Sequence, residues 1–135
     1  MVTAVRLTGA PRSPRSAWAP ERQDVIWIDC NPQAGGEMRD LHPLVVLSPR
    51  AFNAKTGLVI GLPMTSAAYN ATNPFAVNIG KIGLRGAQKV GYVLCHQPKS
   101  FDWRARHARP HAMKRLADDA FEQACTVLNQ IVAIG

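Results

Sequence analysis

Cysteine is scarce in this sequence, and long apolar runs are missing from it. The three cysteines, Cys30, Cys95 and Cys125, are odd in number and form no closely spaced pair, which argues against a disulfide framework. We interpret them as small, reduced packing residues. No apolar run approaches the roughly 18 residues that cross a bilayer, and residues 1–22 lack the continuous apolar stretch of a signal peptide. We therefore expect a soluble, cytoplasmic protein.

Acidic residues are also few relative to basic ones. The 135 residues include 16 Lys and Arg against 9 Asp and Glu, which gives a formal net charge of +7. The excess lies in residues 1–22, with four Arg, and in residues 99–115, with six basic side chains against Asp102. Clustered positive charge can bind phosphate backbones through counterion release, although it is also compatible with ordinary solubility. The charge pattern favours a nucleic-acid partner.

The length fits one domain with a short arm before it. Hydrophobic residues make up 47% and charged residues 19% of the chain, which is typical of a globular protein. Residues 1–20 hold three prolines among Ser and Arg and show no hydrophobic periodicity. We therefore predict a flexible basic arm over residues 1–20 and a folded domain over residues 21–135.

The folded part is predicted to be mainly β with a C-terminal helix. Turn-forming residues, including Gly80 to Gly86, separate five β-rich runs, at 24–30, 44–47, 58–62, 75–79 and 90–94. Near the end the period changes, because Ala117, Phe121, Ala124, Leu128 and Ile131 are spaced by four, three, four and three residues. This spacing predicts a helix that finishes at Gly135, with Cys125 beside its buried face and in the core. Five short strands and one helix suggest a small antiparallel barrel that the helix covers.

Two loops carry side chains that can act on a phosphate ester. Glu37 and His42 lie five residues apart between the first two strands, after Gly35-Gly36, where missing side chains let a ligand approach the backbone. Thr65 and Ser66 end the third strand and can donate hydrogen bonds to phosphate oxygens. Taken singly, a loop glutamate is most often a solvated charge, and Thr-Ser at a strand end is usually turn chemistry.

A third loop follows the fifth strand. It begins with His96 and continues with Lys99 and Ser100. A lone loop histidine is more often structurally incidental than functional. The order in which these groups occur along the chain favours a functional site.

Seven short motifs follow one another in a distinctive order. They are VIWI at 25–28, NPQAGGE at 31–37, VVLSP at 45–49, FN with KTG at 52–57, PMTS at 63–66, PF at 74–75, and QPKS leading into WRAR at 97–106. In this order, from Asp24 to Gly135, the sequence resembles the MazF/PemK (Kid) toxins of bacterial type II toxin–antitoxin modules. The resemblance implies an SH3-like barrel, a homodimer, and a growth-inhibiting mRNA interferase that cleaves single-stranded RNA without a metal or cofactor.

The resemblance also implies partners and site residues. The partner would be a MazE/PemI-like antitoxin whose disordered acidic tail binds across the toxin, with DNA reached only through the antitoxin and no membrane involved. The implied catalytic residues are Glu37, His42, Thr65 and His96. The implied RNA-binding residues are Gly35, Gly36, Arg39, Ser66, Gln97, Lys99, Ser100 and Arg104.

Two departures from the family pattern fall in the site. The family usually has Arg directly before the proline of the second strand, where this chain has His42, and commonly has Asp where this chain has His96. RNA cleavage by its own 2′-hydroxyl needs a base at that hydroxyl and an acid at the leaving 5′-oxygen. Imidazoles titrate near neutral pH, so two of them can share these roles, leaving 2′,3′-cyclic phosphate and 5′-hydroxyl ends.

Other classes of function stay open at this stage. The barrel also resembles CcdB-type toxins, which bind DNA gyrase and perform no chemistry, and a catalytically decayed member would bind only RNA or its antitoxin. A metal site at His107 and His111 is disfavoured, because Pro110 interrupts a regular helix and no further ligand completes the set. Neither Ser48 nor Ser66 lies in a nucleophile elbow.

Overall fold

The computed structural model describes residues 18–30, 41–84 and 87–133. Within them the chain forms seven strands, two α-helices and one short 3-10 helix. In chain order these are β1 (Asp24–Asp29), β2 (Leu41–Val46), α1 (Arg50–Thr56), β3 (Leu58–Thr65), the 3-10 helix (Ala68–Thr72), β4 (Ala76–Leu84), β5 (Ala87–Leu94), β6 (Lys99–Asp102), β7 (Arg109–Arg115) and α2 (Asp118–Ile131).

The strands form one antiparallel sheet in the order β4-β5-β3-β2-β1-β7, with β6 also paired to β3. Strands β5 and β6 share one edge of β3. β5 pairs with its last residues, Met64 and Thr65, and β6 pairs with Leu58 to Gly61. The turn at residues 95–98 therefore projects beside the middle of β3. The predicted antiparallel barrel with a C-terminal helix is confirmed as a half-barrel.

Both faces of the central strands are buried. Alternate residues of β1, β2 and β3 pack into two clusters, as the pleat of a strand requires. The helix-side core comprises Val25, Val45, Leu62, Met64, Val77, Ile82, Val93, Cys95, Leu116 and Ala124. The outer core comprises Ala19, Ile26, Ile28, Cys30, Leu44, Val46, Val59 and Trp103. Burial on both faces explains why these strands read as continuous apolar runs.

Residues 18–20, assigned above to the arm, pack on the outer core. The ring centroids of Trp18 and Trp103 lie 5.9 Å apart in an edge-to-face arrangement, and Ala19 is 8% exposed. The carbonyl of Pro20 accepts a 2.9 Å hydrogen bond from the fully buried Asn53 amide. Residues 18–20 therefore pack with the folded part, and the boundary between arm and domain stays a prediction. Residues 1–17 lie outside the described part.

Helix α2 covers the helix-side core, as its spacing predicted. Ala124 is fully buried, and Phe121 and Leu128 pack against the cluster. The helix ends at Ile131, short of the predicted Gly135, because Val132 adopts an extended conformation and both residues are 42% exposed, with little to pack against. Cys125, predicted to lie in the core, is only half-buried. Neither described α-helix is long and apolar enough to cross a membrane.

Several elements of the structure were not predicted from the sequence. Helix α1, the 3-10 helix, β6 and β7 were not expected, and β4 continues to Leu84 where a turn was predicted from Gly80. Gly80 has φ +81° at a register shift between Asn78 and Lys81, so it forms a bulge and does not end the strand. Strand β7 tolerates Pro110 because it lies at the edge of the sheet.

Candidate functional site

The register of the central strands brings His42 and Thr65 to the same level. His42 lies on β2, opposite Ile28 of β1. On the other side of β2, Leu44 pairs with Pro63, and continuing this antiparallel register by two residues places His42 beside Thr65. Alternation along β2 puts the half-buried His42 side chain on the face of the outer core.

Thr65 is the last residue of β3 and lies at that level, and Ser66 follows it. The Thr65 hydroxyl oxygen accepts a 3.2 Å hydrogen bond from the backbone N–H of Ala67. This bond uses the oxygen as acceptor, so the hydroxyl hydrogen can be donated to an anion. Ser66 follows in the chain and is half-buried. The Thr65 hydroxyl therefore suits a phosphate oxygen next to His42.

His96 lies on the opposite edge of β3 from His42. It is exposed in the turn at residues 95–98, and its Nε2 is 3.3 Å from Nε2 of Gln97, whose amide can donate to a neutral imidazole. His42 is level with Thr65 at the end of β3, whereas His96 lies in the turn beside the middle of β3, so their backbones are separated by about two strand spacings across the sheet, roughly 10 Å, and by about three residues along it. The fold therefore brings together His42, Thr65, Ser66, His96 and Gln97.

Two cations lie on the face of the outer core, Arg106 at the end of β1 and Lys99 beside the middle of β3. Lys99 pairs with Gly61, which fixes its side of the sheet, and Arg106 donates from Nη1 to the Asp29 carbonyl at 3.2 Å. Burial raises the pKa of the Cys30 thiol, while the positive charges of Arg106 and Lys99 act in the opposite direction. Arg106 therefore lies at the end of β1, next to Cys30, where the segment carrying Glu37 begins.

Ser100 and Arg104 are not brought to this cluster. Ser100 pairs with Ile60 and faces away from Lys99. Arg104 donates to the Ala54 carbonyl at 3.1 Å and stacks 4.4 Å from the Trp103 ring. These contacts hold Arg104 at the beginning of β3, about 20 Å or more from Thr65 at roughly 3.3 Å per residue.

The predicted residues Gly35, Gly36, Glu37 and Arg39 lie outside the described residues. Their roles stay predictions. The described part resumes on either side of this segment, at Cys30 and Leu41. Leu41 directly precedes His42, which belongs to the cluster.

Sequence reasoning missed Arg106 as a site residue. It lies in the same WRAR motif as Arg104, but the turn at residues 103–107 separates the two guanidinium groups. Arg106 stacks 5.4 Å from the Phe101 ring and contacts the end of β1. No spacing along the chain indicates which of two nearby arginines makes a contact 77 residues away.

The other two histidines do not form a common site. His107 is exposed, whereas His111 is 4% exposed, with its ring 4.7 Å from that of Trp27. The Nδ1 atom of His111 accepts a 2.9 Å hydrogen bond from the Met113 N–H. Burial lowers the pKa of His111. This histidine therefore belongs to the packing of β7 against β1.

Comparisons with known proteins agree on one family. The model of the PemK-like, MazF-like toxins of type II toxin–antitoxin systems matches residues 21–132. Endoribonuclease toxin MazF of Escherichia coli K12 is 38% identical over 93 residues, which cover 69% of this chain and 78% of that protein.

Solved structures agree with this match. The crystal structure of MazF from Deinococcus radiodurans has a TM-score of 0.71 at 30% identity and covers 87% of this chain and 100% of that one. A MazE-MazF crystal structure from the same organism has a TM-score of 0.69 at 26% identity, with 88% and 100% covered. The resemblance to MazF/PemK endoribonuclease toxins is thereby confirmed, and the chain belongs to the PemK-like, MazF-like toxin family of type II toxin–antitoxin systems.

Proposed function

We propose that this protein is an endoribonuclease toxin that cleaves single-stranded RNA in the cytoplasm without a metal ion. Family membership and the E. coli relative, an endoribonuclease toxin, support the class of activity. The proposed mechanism rests on one observation. His42 and Thr65 lie side by side on the same face of the sheet, and His96 lies on the other side of β3. Such a site offers proton carriers and hydrogen-bond donors around one phosphate.

In this proposal the two imidazoles carry the proton transfers. One neutral imidazole removes the proton of the 2′-hydroxyl, whose oxygen attacks the adjacent phosphorus. The other, protonated, gives its proton to the 5′-oxygen as the P–O bond breaks. The products are a 2′,3′-cyclic phosphate and a 5′-hydroxyl. His42 and His96 suit these roles because they lie on opposite sides of β3 and imidazoles exchange protons near neutral pH.

The remaining groups of the cluster act on charge and position. Thr65 and Ser66 donate hydrogen bonds to the non-bridging phosphate oxygens, and Lys99 and Arg106 offset the charge that develops there. Preorganised donors of this kind commonly contribute the largest part of the stabilisation of a transition state. Glu37 is the additional acid–base candidate from the preceding loop.

We further propose a homodimer and a MazE/PemI-like antitoxin with an acidic, disordered tail. The D. radiodurans relative forms a MazE-MazF complex. The net charge of +7, with six basic residues between 99 and 115, complements an acidic tail. The affinity for such a tail should fall as salt rises, because screening weakens exposed charge pairs.

The direct experiment is incubation of the purified protein with a kilobase-scale single-stranded RNA in excess EDTA. We expect cuts at a few short sites, and fragments whose 5′ ends accept a label from polynucleotide kinase without prior phosphatase treatment. His42→Ala, purified in the same way, controls for contaminating nucleases. Intact RNA together with inhibition of DNA gyrase would instead identify a binding-only toxin of the CcdB type.

A further inference from the structure

Phe75 presents an aromatic ring to solvent beside the candidate site. The residue is 44% exposed, so a large part of its ring is open to solvent. The ring lies 5.7 Å from that of His96, at an interplanar angle of 34°. The two rings form a pair, here called the ring pair, at the edge of the sheet where His96 projects.

Hydrogen bonds hold the backbone of Phe75 in place. Its N–H donates to Oδ1 of Asn73 at 3.0 Å, and its carbonyl accepts from the N–H of Cys95 at 3.0 Å. Asn73 in turn donates from Nδ2 to Oδ1 of the buried Asn70 at 3.0 Å, and Nδ2 of Asn70 donates to the Ala67 carbonyl at 3.1 Å. This chain of bonds links Phe75 to the end of β3, two residues beyond Thr65.

We propose that the ring pair of Phe75 and His96 is a stacking surface for one nucleobase of the RNA, the base next to the cleaved phosphate. The inference deepens the proposed RNA cleavage and rests on it. A fixed aromatic ring loses little conformational freedom when a base stacks on it, and stacking of this kind tolerates any base because each has a π-face. The ring pair would therefore add affinity without selecting a base.

The position of the ring pair favours a nucleobase over another protein. Phe75 directly precedes Ala76, which pairs with Leu94 of β5, and β5 lies next to Thr65. The backbone of Phe75 thus lies about two strand spacings across the sheet and about three residues along it from Thr65, roughly 14 Å in all. A strand whose phosphate is held by Thr65 and Ser66 reaches this distance with an adjacent nucleotide. A surface continuous with the phosphate donors suits the substrate itself.

The test measures binding separately from cleavage. The cleaved sequence is first mapped on a long RNA, and a short oligonucleotide with a 2′-O-methyl group at the cleaved nucleotide then serves as an uncleavable probe. Dissociation constants are measured for the wild type, Phe75→Leu and Phe75→Trp. Tyr69→Leu is the matched control, because Tyr69 is 78% exposed on the neighbouring 3-10 helix and has no ring partner among the described residues. A series of probes, each with one abasic position, completes the set.

We expect Phe75→Leu to weaken binding by about tenfold or more, while Phe75→Trp and Tyr69→Leu bind as the wild type does. At one abasic position next to the cleaved phosphate, wild type and Phe75→Leu should bind equally. Equal binding by wild type and Phe75→Leu on the intact probe would overturn the proposal. A tenfold loss of affinity in Phe75→Leu that persists at every abasic position would also overturn it. So would a loss of affinity that is explained by dissociation of the Phe75→Leu dimer. A wild type that neither binds nor cuts RNA would refute the proposed function itself.

Discussion

Replacing Asn53 with alanine should strongly destabilise the protein. The Asn53 side chain is fully buried and joins separate segments of the chain. Its Nδ2 donates to the carbonyl of Pro20 at 2.9 Å and to that of Ser48 at 3.0 Å, and its Oδ1 accepts from the Ser48 hydroxyl at 2.6 Å. Alanine removes all three bonds at once.

The size of the effect follows from which groups lose their partners. The Ser48 hydroxyl already lies 3.4 Å from the Ile60 carbonyl and can turn its hydrogen there. The carbonyls of Pro20 and Ser48 lose this donor, and an unsatisfied buried group typically costs about 1 to 3 kcal/mol. We therefore expect Asn53→Ala to lower the free energy of unfolding by about 2 to 4 kcal/mol.

Urea denaturation at a single protein concentration, followed by tryptophan fluorescence, measures this difference. The matched variant is Asn53→Asp, which keeps the size and one acceptor oxygen but places a second oxygen against the two carbonyls. It should cost at least as much as alanine. A change below about 0.5 kcal/mol for Asn53→Ala, the range of an ordinary surface substitution, would refute this account of how residues 18–20 are held.

Three further results follow from burial and packing. His111 has a lowered pKa in the folded protein, so the unfolded chain binds more protons below about pH 6.5; stability should fall as the pH drops through that range, and less steeply in His111→Asn, as measured by urea titration at several pH values. A thiol reagent at pH 8 should label the half-buried Cys125 of the native protein well before Cys95, because burial raises the pKa of Cys95 to about 11. Mass spectrometry measures the two labelling rates, and faster labelling of Cys95 would contradict this prediction. Deleting residues 1–17 should leave the melting temperature nearly unchanged but weaken RNA binding through lost positive charge, whereas Trp18→Ala should lower the melting temperature through loss of the ring contact with the barrel.

The strands that carry the core could be predicted because burial shapes their composition. Continuous apolar runs in β1, β2 and β3 mark strands buried on both faces, and the spacing of α2 marks a helix with one buried face. Strand β6 is short, only alternately half-buried, and rich in polar residues, so no such pattern marks it. Its pairing with β3 is set by partners about forty residues away, which local sequence does not record.

The sequence supplies candidate residues for a site but not their arrangement. His42, Thr65 and His96 belong to three strand ends that pairing brings together. Arg104 and Arg106 differ by two positions, yet one contacts α1 and the other contacts β1. The turn at residues 103–107 directs the two side chains to different elements. It contains no glycine or proline, so the sequence does not predict it.

The most direct test of the two-histidine proposal is the pH dependence of RNA cleavage under single-turnover conditions. The wild type should give a bell-shaped profile with both limbs between about pH 5 and 8, and His42→Ala and His96→Ala should each be at least about a hundredfold slower. His107→Asn, at an exposed position with φ +54° that asparagine tolerates, should match the wild type. A flat profile, with neither active-site variant slower than His107→Asn, would contradict the proposal and leave Glu37 with Lys99 as the better candidate pair.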